Sequence, residues 1–228
     1  MVQSSSRSRF MTPGWIAAAV FLLVILGGAI VAVLVLPPSN VPSAPATTRP
    51  AVASCTPSGS TTIPDSAPPA SWTLTGTVAA PASPSAGPGR IDQDGFRHCF
   101  AHTPTGALFA AANYIAMASG DHHLAVPVAK RGVADGLGKS LAVEAARTAD
   151  GGSSATIQIA GFEVVTYDPS LASVKLAVRT DAGTLASGVV TLRWQDVDWR
   201  MVADPSTGQT SSVQPIESLG GYVPWGAN

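Results

Sequence analysis

The chain has 228 residues, 46% hydrophobic and 12% charged, with 22 Gly, 19 Pro and 2 Cys. This is too apolar for a wholly disordered chain and too rich in Pro for one compact domain. A formal net charge of -1 gives no basic surface to attract nucleic acid. Two cysteines exclude a disulfide-rich scaffold and a four-cysteine zinc site.

Residues 1–14 form a short head carrying Arg7 and Arg9. From Trp15 to Leu36 the chain runs 22 residues without a charge or a Pro. A helix of about 20 such residues spans a hydrocarbon core, so 15–36 is expected to be a transmembrane helix. A secretory signal would be shorter and end near a small-residue cleavage site, whereas Pro37 and Pro38 follow here. No Lys or Arg follows the span until Arg49, so the head is expected in the cytoplasm and the rest outside. The expected location is therefore the cell membrane, single-pass, with the bilayer as one partner.

Residues 37–70 are rich in Pro, Ser and Thr, with only Arg49 and Asp65 charged. Such a segment reads as an extended spacer. Val52-Ala53-Ser54-Cys55 faintly resembles a lipoprotein box, but the Pro-rich stretch separates it from the apolar run. Residues 71–90 read as a strand and loop docked on the domain, with strand-like alternation over 71–80.

Residues 91–228 form the expected outer domain, with nine Lys and Arg against thirteen Asp and Glu. That weakly acidic balance argues further against a nucleic-acid partner. Thr103 is placed to cap a helix and Pro104 to begin it. Leu108, Ala111, Ala112 and Ile115 share one face of that helix. Residues 121–149 read as two shorter helices, with Asp121 as a cap. After Gly151-Gly152 the period changes to two. Strands are expected over 156–167, with a bulge at Gly161, and over 172–180, 187–195 and 199–202. The last two are joined by a tight turn at 195–198. Helices followed by an antiparallel meander make the fold class α+β.

The ending Leu192-Arg193-Trp194-Gln195 to Trp199-Arg200-Met201-Val202 resembles the final hairpin of the cystatin-like, nuclear transport factor 2-like cone. That resemblance implies helices packed on a curved antiparallel sheet. It also implies a cavity that Asn113, Phe162, Trp194 and Trp199 would line. Membrane-anchored cones of this kind include scaffold subunits of type IV secretion and conjugation systems, and proteins associated with mammalian-cell-entry lipid transporters. Trp72-Thr73-Leu74, Ala86-Gly87-Pro88, Cys99 to Asn113 and Tyr222 to Gly226 are similar to actinobacterial single-span proteins of integrative conjugative elements.

His98-Cys99 and His102 could supply a nucleophile with its base, or three zinc ligands. Outside the membrane, two lone cysteines are most simply a pair, so a Cys55–Cys99 disulfide is expected. His122 and His123 after Asp121 could bind metal, but adjacent His point about 100° apart on a helix and rarely share one ion, so they read as solvated helix-start residues. Asp196 and Asp198 read as residues that cap and solvate their turn. Tyr222 and Trp225 flank Pro224 and are candidate interface anchors, the alternative being that they fold back on the domain. No catalytic residue, metal or cofactor is expected. The function expected is a non-enzymatic scaffold or accessory subunit of an envelope machine, with other subunits as partners or a homo-oligomer. A lipid or small-ligand binder and a Cys-dependent wall hydrolase are the alternatives.

Overall fold

The computed structural model describes residues 60–149 and 156–227. The head, the span expected at 15–36, most of the spacer and Cys55 lie outside the described residues. Among those described, no helix is long and apolar enough to cross a membrane.

The central element is α1, Pro104–Gly120. Its start follows from two residues: Thr103 Oγ1 accepts the Gly106 N–H at 3.0 Å, and Pro104 occupies the first turn. Leu108, Phe109, Ala110, Ala111, Ala112 and Tyr114 are all fully buried. The helix is therefore covered nearly all round rather than along one stripe. Its Ala residues let neighbouring elements approach closely. Two short elements follow: α2, His122–Pro127, and a π turn, Val128–Gly132. Helix α3, Leu137–Thr148, buries only Gly138 and Ala142.

The main sheet is antiparallel and has six strands. β5 (Ile157–Asp168), β6 (Leu171–Thr180) and β7 (Leu185–Gln195) form its body. Irregularities in β5 fall between Ile159 and Gly161 and between Val164 and Thr166. The first adjoins the Gly161 position expected from sequence. β8 (Asp198–Met201) and β9 (Ser211–Ile216) pair with different halves of the same edge of β7. β10 (Val223–Pro224) pairs with the edge of β5. Val174, Leu176, Val190, Leu192 and Phe162 face α1 and form the core with it.

The segment at 71–82 is a hairpin rather than one strand. β1 (Ser71–Thr75) and β2 (Val78–Ala82) pair with Thr75 opposite Val78. Gly76, at φ +60°, turns between them so close to α1 that an added Cβ would lie 1.8 Å from Gly120 O. Two short strands, β3 (Arg90–Ile91) and β4 (Arg97–His98), lead into the segment before α1. Three helices packed on an antiparallel sheet make the domain α+β, as the sequence pattern predicts.

Candidate functional site

The His98-Cys99-x-x-His102 segment is anchored by Asp198, at the start of β8. Asp198 Oδ2 accepts the Cys99 N–H at 2.8 Å, and Oδ1 accepts those of Phe100 at 2.9 Å and Trp199 at 3.0 Å. The residue is 5% exposed, which corrects the expectation of a solvated turn carboxylate. Burial pushes its carboxyl above the ordinary carboxylate range, while the three N–H donors pull it back. Cys99 itself sits in the left-handed region, at φ 71°. It is 1% exposed and disulfide-bonded.

The two histidines of the segment turn to different neighbours. His98 Nε2 meets Asp92 Oδ1 at 3.0 Å. Arg131 also binds Asp92, at 2.7 Å, pairs with Asp94, and lies over the Phe96 ring at 4.0 Å. His102 stacks on Trp194 with ring centres 3.8 Å apart and planes 6° from parallel. Trp199 lies edge-on to Trp194 at 5.3 Å and donates its indole N–H to Ala101 O at 2.8 Å. Tyr114, from α1, donates its hydroxyl to Trp199 O at 2.8 Å. Burial raises the Tyr114 hydroxyl well above its ordinary pKa, so it serves as a donor in a packed network.

The residues expected to line a cavity are packed instead. Phe162 and Trp199 are fully buried in the core. Asn113 donates through Nδ2 to Pro81 O at 2.9 Å and Phe109 O at 2.8 Å, joining β2 to α1. Trp194 is half-buried under His102. An apolar cleft of about 330 Å³ opens elsewhere, where the short helices meet the 207–210 loop and the start of β9. Ala118, Ala125, Val128, Ala142 and Met201 are among its walls. On α3, Leu137 is 83% exposed and lines a second, smaller cleft of about 220 Å³ with Gly136, Arg193, Val202 and Pro205, and Leu141 is 42% exposed. Their spacing of four residues puts them on one outward face. The sequence carried that signal as Leu-x-x-x-Leu, but without the fold nothing separated it from a core stripe.

The carboxyl-terminal aromatics divide between the two faces of the sheet. Trp225 is 6% exposed and packs on Trp72, Phe109 and Phe162 at ring distances of 4.9, 5.2 and 5.5 Å. Its indole N–H donates to Pro68 O at 3.1 Å. Tyr222 lies on the opposite face, over Gly161, and donates its hydroxyl to Ser187. This corrects the candidate interface at Tyr222 and Trp225. Period-two alternation along β10 drives Trp225 into the core and lays Tyr222 along the sheet, so the tail packs on its own domain.

Among the described residues, Asp121, His122 and His123 bring one potential metal-ligating atom each within 4.8 Å of the others.

These elements define an α+β domain that carries a disulfide and an apolar cleft on its helical side. The chain belongs to a family described as a domain of unknown function, DUF8175, whose model matches residues 36–224. No curated protein and no solved structure matches it.

Proposed function

We propose that this chain is a single-span, membrane-anchored scaffold or accessory subunit of a cell-envelope machine of the conjugative or type IV secretion-like kind. Its outer domain works by binding, and the cystatin-like, nuclear transport factor 2-like cone is the fold we assign to it. The observation that carries the binding reading is the α3 face: Leu137 and Leu141, exposed one turn apart, with Leu137 on the wall of a small cleft. A Leu left 83% exposed, with a second exposed Leu one turn on, suits an apolar segment of another envelope subunit. The apolar run at 15–36 and the Pro-rich spacer support an anchor inside and a domain held away from the membrane. The wall-hydrolase alternative needs a free, reachable thiol at Cys99, and that sulfur is buried and oxidised.

The larger cleft gives the carrier reading its one specific support, since its volume and lining suit a small apolar ligand. A photo-crosslinking residue placed at Leu137 or Leu141 in cells separates the two. The scaffold reading expects a protein adduct that disappears in L141D with the fold retained. A lipid adduct alone would transfer the site to the carrier reading, and no adduct at either position would reject the surface.

A further inference from the structure

The junction between α1 and α2 gathers Asp121, His122 and His123 at the surface, and we infer that it is a divalent transition-metal site. Isolated helix geometry would separate adjacent side chains by about 100°. Here the two imidazoles instead lie with centres 3.9 Å apart and planes tilted by 41°. The ligating atoms of the three residues lie within 4.8 Å of one another. Around a tetrahedral zinc, with ligands at about 2.0–2.2 Å, neighbouring ligand atoms sit roughly 3.3–3.5 Å apart. Small side-chain rotations cover that difference.

The backbone beneath the site is fixed. The Asp121 N–H donates to Met117 O at 3.4 Å, and Asp121 O accepts the Leu124 N–H at 2.9 Å. Gly120 O accepts the Thr77 N–H at 3.0 Å, tying the junction to the β1–β2 turn. Asp121 Oδ1 accepts the His123 N–H at 2.9 Å, which orients the carboxylate and leaves Oδ2 for a ligand. No Lys or Arg forms an ion pair with Asp121 among the described residues. The site therefore offers two imidazoles and an uncompensated carboxylate on a held backbone. Two nitrogen donors and one oxygen suit zinc, nickel or copper in preference to calcium or magnesium. Three protein ligands leave coordination positions open to water or to a donor from a partner.

Zinc binding to the untagged full-length chain in detergent tests this, with bound metal counted after equilibrium dialysis. One zinc per chain is expected. H122Q/H123Q should abolish it, and D121N should weaken it by about tenfold or more. Asn also caps helices, so D121N keeps the α2 start while removing the charge. H98Q/H102Q should bind zinc like the unaltered chain. Unchanged melting temperatures for H122Q/H123Q and D121N should accompany the loss, because neither variant removes a core contact. Absence of zinc from the unaltered chain overturns the assignment. So does zinc that survives H122Q/H123Q, or that is lost in H98Q/H102Q.

Discussion

Asp198 commits both carboxylate oxygens to backbone N–H groups, two of them in a segment 98 and 99 residues earlier in the chain. That arrangement holds Cys99 at φ 71°, a conformation that costs a non-Gly residue about 1–2 kcal/mol. It also fixes where the buried Cys99 sulfur points. Asn in its place would keep one acceptor oxygen and aim an NH2 group at a backbone donor. A buried N–H left without an acceptor costs about 1–3 kcal/mol. D198N should therefore lose about 3 kcal/mol in urea unfolding, whereas D196N, in the exposed turn, should stay within about 0.5 kcal/mol. Equal effects at the two positions would show that the buried network contributes nothing beyond the turn itself.

The β7–β8 hairpin is an element under local strain. Asp196 and Val197, at φ 52° and 59°, are both left-handed, the pairing that matches strand twist in a two-residue turn. Asn-Gly would suit it, and a β-branched Val does not. Val197 is 59% exposed, so its side chain returns little packing. V197G should raise stability by about 0.5–1 kcal/mol and the melting temperature by about 2–4 °C. A lower melting temperature would mean that Val197 makes a contact worth more than its strain. The turn was legible in the sequence because the flanking strands alternate cleanly, each with one face against α1. The start of α1 was legible because Thr103 and Pro104 act locally. β9 was not: Ser211–Ile216 is mostly exposed, contains Pro215, and is defined by its pairing to β7. The β1–β2 turn was read as strand because Gly76 is dictated by the approach of Gly120, a tertiary contact. The histidines after Asp121 were visible as possible ligands but were read as solvated, since helix spacing alone points them apart and their approach depends on the local side-chain geometry. Asp198 was misread because its partners lie far away in sequence.

At the scale of the whole molecule, the two ends of the domain meet at Trp225. Its ring fills the space between Trp72 of the amino-terminal hairpin and Phe109 and Phe162 of the core, and its N–H binds Pro68 O. Tyr222 closes the opposite face of the sheet, where Gly161 leaves room for its side chain. β10 thus works as a clasp across the edge of β5, holding the arm and the sheet in one unit. W225A should cost about 3–5 kcal/mol, the range for truncating a buried aromatic residue. Y222A should cost less, about 1–2 kcal/mol, because the ring is only partly buried and donates a single hydrogen bond. The loss in W225A should also be shared with the arm. Amide exchange over residues 68–75 should speed up under native conditions, while β6 and β7 keep their protection. W72A and W225A should then combine with a coupling of about 0.5–1.5 kcal/mol, since each removes the other's edge-on partner. If W225A melts like the unaltered protein and leaves exchange in the arm unchanged, the ring is not a core residue, and the outward-facing interface at Tyr222 and Trp225 returns as the better reading of the tail.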